Sequence, residues 1–297
     1  MIDSTLTMAQ IAKLDDYGLL QVAGGDARAF LHAQLTNDIE HLAADRARYA
    51  GWCTAKGRLL ATFLVLPRAD DFLLQVARDL APGVARRLSM FVLRAKVKLA
   101  EASAEWTQYG LWGPQADPFL ERLGLSVPRH PFGLGAARDS IAVRIEDARY
   151  LLLAAPSLQA AIEPNAPAGD WALAEIRAGR PLIAQATQDQ FVPQMVNLEL
   201  AGGVDFHKGC YPGQEIVARA QYRGVVKRRM VRLRGAGLAP GQDLYSDDAP
   251  GQPSGTVVNA AADESLAVLQ SSSIESGSPI RARPDGAALE RLPLPYA

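Results

Sequence analysis

The chain has 297 residues, 48% of them apolar, with 31 cationic and 32 acidic side chains and a net charge of −1. That length can bury one large core or two to three modest ones, and the balanced charge excludes a globally basic nucleic-acid or membrane-surface binder, so any basic surface must be local. Only Cys53 and Cys210 are present, which excludes a disulfide framework and suits a reducing compartment.

The N-terminal stretch MIDSTLTMAQIAKLDDYG lacks a cationic start and an apolar h-region, and the longest apolar run, near Leu59 to Leu66, is too short to span a bilayer. A cytoplasmic protein without membrane contact is expected. His32, His41, His130 and His207 form no i, i+4 pair and there is no CxxC, so no single segment builds a zinc or iron–sulfur site and no resident metal is expected.

In chain order, Gly18 to Ala23 is a short apolar run ended by Gly24-Gly25, and Asp26 stands at the N-cap position of a helix with Phe30, Leu31 and Leu35 on one face. Arg48 to Thr54 and Arg58 to Leu66 read as strands joined by a turn at Lys56-Gly57, and Phe72 to Arg78 as a third. Pro82 opens a helix whose apolar positions Val84, Leu88, Phe91, Val92 and Ala95 keep the helical period, and Val97 to Leu99 returns as a strand. A similar order recurs: strand Thr107 to Trp112, helix Pro114 to Leu123, strands Ile141 to Ile145 and Tyr150 to Ala154, helix Ser157 to Ile162. Two related α+β units are expected from that order of elements. Gly133-Leu134-Gly135 lacks the third glycine of a dinucleotide fingerprint and is dismissed.

A helix from Trp171 to Gly179 precedes a long stretch, Arg180 to Asp205, with little regular pattern, and loops of that length are usually functional. Arg228 to Arg234 alternates as a strand. From Gly235 onward, Gly, Pro, Ser and Asp punctuate short strands at Ser254 to Asn259, Ser265 to Leu269, Pro279 to Arg283 and Ala288 to Leu292, the pattern of a small antiparallel barrel.

The chemically densest stretch is KGCYPGQEIVAR, Lys208 to Arg219. Tyr211-Pro212-Gly213-Gln214 has the composition of a type II turn, and Glu215 to Gln221 reads as a short helix with its acid in the first turn. Cys210 then lies just upstream of a helix start with Lys208 nearby, an electropositive setting that favours a thiolate. A free cysteine is more often a packing residue; the Lys-Gly before it and the Pro-Gly turn after it point the other way. Arg219, Arg223, Lys227, Arg228, Arg229, Arg232 and Arg234 form a basic run, which reads as a solvated face or, if it shares a face with Cys210, as a seat for a polyanion such as RNA or a polyglutamylated folate tail.

KGCYPGQE resembles the signature of the YgfZ family, folate-binding relatives of the glycine-cleavage T-protein (aminomethyltransferase). The resemblance extends upstream through Phe191-Val192-Pro193-Gln194 and Asn197-Leu198 and downstream through Tyr222-Arg223-Gly224 and Lys227-Arg228. Gln34-Leu35-Thr36-Asn37-Asp38-Ile39 is similar to the family's LTND element, and Cys53-Thr54-Ala55-Lys56-Gly57 to its second cysteine segment. The resemblance implies folate-contacting aromatics at Tyr17, where Trp is more usual, and Trp171. Counting back from Gly113-Pro114 places Glu105 near the transferases' catalytic aspartate, and Arg177 where they carry a folate-contacting glutamate. A cation in place of an acid reverses the local charge, so the transferase acid–base arrangement is not carried over.

The resulting expectation is an α+β, T-protein-like body of two ferredoxin-like units, 1–104 and 105–234, with a C-terminal antiparallel β-barrel over 235–297. The working residues are Cys210 and Lys208, in a motif completed by Gly209, Tyr211, Gly213, Gln214 and Glu215. Folate-binding residues are Tyr17, Trp171, Asn37, Glu105 and Arg223, for tetrahydrofolate or another reduced folate. The family implies an accessory factor in iron–sulfur cluster assembly or repair, partnered by iron–sulfur proteins or assembly factors, with consequences for tRNA modification. The competing readings are a tetrahydrofolate-dependent one-carbon transferase or demethylase, and a tRNA-contacting module using the basic run.

Overall fold

The structure is a computed structural model and describes residues 8–137, 140–222, 224 and 226–296. β1 (Gln10–Lys13) and β2 (Tyr17–Ala23) lead into α1 (Ala27–Gln34), β3 (Arg48–Cys53), β4 (Leu59–Pro67), β5 (Asp71–Ala77), α2 (Ala81–Ser89) and β6 (Lys98–Glu101). The second round runs β7 (Thr107–Trp112), α3 (Ala116–Arg122), β8 (Leu134–Ala137), β9 (Ser140–Glu146), β10 (Arg149–Ala154) and α4 (Pro156–Gln159). Beyond α5 (Ala168–Arg177), the stretch to α6 (Gln214–Tyr222) carries two 3-10 turns, Gln185–Thr187 and Pro193–Val196. β11 (Arg228–Arg234), β12 (Asp243–Ser246), β13 (Pro253–Ala261), β14 (Glu264–Gln270), α7 (Ser271–Ser276), β15 (Ile280–Arg281) and β16 (Ala288–Leu292) complete the chain.

The repeat expected from element order reappears as matched strand order. One sheet runs β3-β4-β5-β2-β6 and the other β8-β9-β10-β7-β1. The N-terminal β1 thus takes the edge of the second sheet that β6 takes in the first, pairing antiparallel with β7 as β6 does with β2. Four residues with only Ile11 and Ala12 buried gave β1 too short a pattern to read from sequence.

The chain divides into two compact units, each drawn from several segments: Met1–Phe30 with Glu40–Arg48 and Leu64–Trp171, and Leu31–Ile39 with Tyr49–Phe63 and Ala172–Ala297. In the first unit the sheets pack face to face, with Leu19, Leu66 and Leu73 of one and Ile141, Val143, Leu151 and Leu153 of the other in one buried cluster. Each such leucine adds about 1.5–3 kcal/mol by leaving water. A second cluster joins Leu111, Tyr150 and Leu152 to Leu120 of α3 and Leu158 of α4. In the second unit a closed barrel runs β11-β14-β13-β12-β15-β16 around Val231, Leu233, Leu244, Val257, Ala267 and Leu269. Closure leaves no sheet edge unpaired, and β11, upstream of the composition change at Gly235, is one of its strands.

Local departures from the sequence reading have identifiable causes. α2 stops at Ser89, and Phe91, expected on its apolar face, is 45% exposed. The chain is drawn away because Lys96 N–H donates to Asp26 Oδ2 at 2.7 Å, and a Cβ on Gly24 would lie 2.0 Å from the Lys96 carbonyl oxygen. Asp26 therefore directs its carboxylate to residue 96. Gly135 belongs to the edge strand β8 and is small because a Cβ there would lie 1.8 Å from the Ser126 carbonyl oxygen, which accounts for that glycine without any nucleotide. Among the described residues no helix is long and apolar enough to cross a membrane.

Candidate functional site

The motif and the LTND segment belong to the second unit, and its hydrogen bonds tie them together. Thr36 Oγ1 donates to the Gly203 carbonyl at 2.6 Å and accepts from Gly51 N–H at 2.8 Å. The Asn37 amide donates to the Tyr49 and Gly202 carbonyls, both at 2.7 Å, while its Oδ1 accepts from Asp38 N–H. Asn37 is buried with both ends of its amide committed, so it acts here as a clamp between β3 and the loop before the motif.

Lys208 is only 9% exposed. Its Nζ donates to the Leu35 carbonyl at 2.9 Å and to the His32 carbonyl, and lies 4.8 Å from the centre of the Tyr211 ring. Those carbonyls end α1, where helix acceptors lack partners and the macrodipole favours a cation. Burial disfavours the charged form and draws the ammonium down to about 8, against the opposing pull of Asp38, Asp205 and Cys210.

The turn forms as its residues predict. Gln214 N–H donates to the Tyr211 carbonyl at 3.2 Å, and Gly213 at φ +80° fills the position of a type II turn that needs positive φ. That glycine is pressed onto the hairpin between β3 and β4: a Cβ would lie 2.4 Å from the Thr54 carbonyl oxygen and 2.6 Å from Gly57 Cα. α6 is then fixed by buried Val217, whose carbonyl accepts from the Gln194 amide at 2.7 Å. Asn197, in the left-handed region at φ +52°, donates to the Met230 carbonyl at 2.9 Å. The segments Cys53–Gly57, Phe191–Leu198 and Lys208–Glu215 are thereby one packed assembly.

The two cysteines are left in opposite situations. Cys53, at the end of β3, is buried, and burial pushes its thiol far above the ordinary range. The buried Tyr211 phenol is likewise pushed up, first by burial and then by Cys53. Cys210 is exposed, as are Gly209 and Glu215, while Gln214 is half-buried. His32 Nδ1 stands 3.2 Å from Asp38 Oδ1, and a Cβ on Gly209 would lie 3.4 Å from His32 Nε2. Sequence reading did not single out this pair; its only signal is a histidine and an aspartate six residues apart across a helix end. Among the described residues no group of three or more His, Cys, Asp or Glu side chains is arranged to hold a metal.

The remaining candidates lie in the first unit. Tyr17 is half-buried against the inter-sheet core. Its carbonyl accepts from the Gln108 amide at 3.0 Å, and Gln108 Oε1 accepts from Gln75 at 2.8 Å, both glutamines being buried. Trp171 is 3% exposed, with the Arg149 guanidinium 4.7 Å from its ring centre, and a Cβ on Gly110 would lie 2.4 Å from its Cε3. Glu105 is exposed in the turn before β7. Arg223 lies outside the described residues.

Three cations of the basic run have acidic partners inside the second unit: Arg229 pairs with Glu199, Arg232 approaches the buried Glu264 at 3.6 Å, and Arg234 bonds Glu290 at 2.7 Å, while Arg177, outside the run, bonds the same Glu264 at 2.8 Å. This leaves a weaker field than seven cations in line suggest.

Residues 3–153 match the GCVT N-terminal domain family. The fold overlays a crystal structure of glycine cleavage system aminomethyltransferase T from Bartonella henselae with a TM-score of 0.76, covering 97% of this chain and 86% of that one at 17% identity. A body of paired sheets with a C-terminal barrel is thus a GCVT-type aminomethyltransferase fold. The tRNA-modifying protein YgfZ of Sodalis glossinidius (strain morsitans) is 32% identical, with 97% of this chain and 93% of that relative covered. That of Edwardsiella ictaluri (strain 93-146) is 34% identical over 97% and 92%. The chain belongs to the YgfZ family.

Proposed function

We propose that this chain is a cytoplasmic, folate-binding accessory protein that supports iron–sulfur cluster assembly or repair and, through iron–sulfur enzymes, tRNA modification, with the Cys210 thiol as its working group. The observation that carries this reading is the division of labour within the motif. Lys208 is anchored on α1, Tyr211 is buried and Gly213 is wedged onto the hairpin, while Cys210 is exposed. A packing role for Cys210 would bury the sulfur, as it does for Cys53. The YgfZ relatives are named for tRNA modification, which agrees with this role.

The first unit carries side chains that fit a reduced folate such as tetrahydrofolate. Tyr17 offers a half-buried ring, and the amides of Gln75 and Gln108 beside it suit the hydrogen-bonding edge of a flat heterocycle. Trp171, covered by Gly110 and Arg149, braces that wall. When bound, the folate supplies a carrier for one-carbon units. A transferase would also require a sheltered acid, and neither the exposed Glu105 nor Arg177, held by Glu264, supplies one.

The test is complementation of a deletion strain, read as activity of an iron–sulfur tRNA-modifying enzyme, with folate affinity measured by calorimetry. Cys210→Ser is expected to abolish complementation and leave affinity unchanged, because oxygen is a poor substitute for a soft sulfur; Cys53→Ala retains function if it folds. Full complementation by Cys210→Ser would refute the reading. Turnover of a small amine by the purified protein with tetrahydrofolate would establish the transferase instead.

A further inference from the structure

We propose that the loop after α2, Met90 to Lys98, docks the first unit reversibly onto an anionic phospholipid surface. Three bulky apolar side chains stand in water there, Met90 at 69%, Phe91 at 45% and Leu93 at 87% exposure. Between Leu80 and Ala100 the sequence holds five cations and no acid, in a chain whose net charge is −1. Arg86, Arg94, Lys96 and Lys98 are all exposed. Arg86 lies one helical turn before Met90, which caps α2 in helical conformation, and Arg94 follows Leu93 directly, so charge flanks the apolar tip on both sides.

The loop is fixed at both ends. Phe91 N–H donates to the Leu88 carbonyl and Val92 N–H to the Ser89 carbonyl, each at 3.1 Å. At the far end Lys96 N–H donates to Asp26 Oδ2 at 2.7 Å, and Asp26 N–H donates back to the Lys96 carbonyl at 3.4 Å. Asp26 is the one acid these bonds bring to the loop, and five cations outweigh it. The apolar side chains between the anchors are thereby held outward, where each costs free energy until something covers it.

Charge complementarity selects what covers them. A second copy would set cations against cations. RNA would neutralise the cations but leave Met90 and Leu93 without apolar contact. A protein partner would need an acidic groove shaped to a protruding tip, whereas a fluid bilayer receives such a tip without a preformed pocket: apolar side chains enter the acyl boundary while the cations stay among anionic headgroups. Contact of this kind is peripheral and needs no spanning segment, in keeping with the absence, among the described residues, of a helix able to cross a membrane.

Sedimentation of the full-length protein with vesicles of about three parts phosphatidylethanolamine to one of phosphatidylglycerol, at about 50 and about 300 mM salt, tests the docking. Wild type is expected to pellet with these vesicles at low salt, to be released at high salt, and to stay in the supernatant with pure phosphatidylcholine vesicles. Leu93→Gln should lower the partition coefficient about tenfold, and Arg94→Gln combined with Lys96→Gln about fivefold for each cation removed. Leu93→Trp should keep the binding and add a blue-shifted emission that brominated acyl chains quench, beyond any quenching of the four native tryptophans. No pelleting on anionic vesicles at low salt, or equal partition of wild type, Leu93→Gln and the double variant with thermal melts showing them folded, would overturn the assignment; should one variant fail to fold, the other decides. Binding of tRNA or of an acidic polypeptide that is lost in the same variants while vesicles retain nothing would also overturn it and give the patch to that macromolecule. None of these outcomes depends on Cys210.

Discussion

Gly213→Ala isolates the contact on which the motif is built. At φ +80° a Cβ adds about 1–2 kcal/mol of backbone strain. It would also lie 2.4 Å from the Thr54 carbonyl oxygen and 2.6 Å from Gly57 Cα, and since both are backbone atoms of a tight hairpin they cannot turn aside. Overpacking of this kind costs about 1–3 kcal/mol, so the sum is about 2–5 kcal/mol, a large fraction of the roughly 5–15 kcal/mol that holds an ordinary protein folded. Gly237→Ala is the control, because its φ of +77° imposes the same strain while nothing lies within 4 Å of the added Cβ. With two compact units, global unfolding need not be two-state, so the informative assay is local. Amide exchange across Cys53–Gly57, together with alkylation of the buried Cys53, should accelerate in Gly213→Ala by at least tenfold, about 1.4 kcal/mol of local opening, and stay unchanged in Gly237→Ala. Equal protection in the two variants would refute the claim that the turn and the hairpin are wedged together.

Lys208 gives the pH dependence its sign. Its folded-state value of about 8 lies below the ordinary 10.5, so the cost of burying the ammonium is present below pH 8 and is relieved as pH rises toward 10.5. Wild-type stability relative to Lys208→Met, measured by urea unfolding, should therefore increase by about 3 kcal/mol across that range; a flat difference would mean that the buried amine does not titrate there. Trp171→Ala should cost about 3–5 kcal/mol in thermal unfolding, since it empties a core site. Tyr17→Ala should instead lower tetrahydrofolate affinity by the equivalent of about 0.5–1.5 kcal/mol with a smaller loss of stability. Calorimetry showing intact affinity in Tyr17→Ala would remove Tyr17 from the folate wall.

The fold was legible wherever a segment carried its own period. Arg48 to Leu66 reads as two strands because its apolar residues are continuous and Lys56-Gly57 breaks them, and β4 is buried at every position. What escaped was decided by partners distant in sequence. β1 exists because β7 offers an edge, and α2 ends early because Asp26 and Gly24 hold residue 96. The barrel's β12 has four residues and draws its register from β13 and β15. Tertiary pairing overrides local propensity most readily in such short elements.

The motif shows the same division at finer scale. The bend at Pro212-Gly213 and the helix after it are local chemistry, and both appear as the residues dictate. The destination of Lys208 is not local: an ammonium next to a cysteine invites the reading that it activates the thiol, yet its bonds run to the carbonyls of Leu35 and His32, more than 170 residues earlier. Its first role is therefore to bring the motif loop onto the end of α1. That same anchor carries the loop to His32, so that a Cβ on Gly209 would lie 3.4 Å from His32 Nε2. A lysine that positions the loop explains why an exposed cysteine is set in so heavily bonded a frame: holding a surface thiol at a fixed place takes several buried contacts.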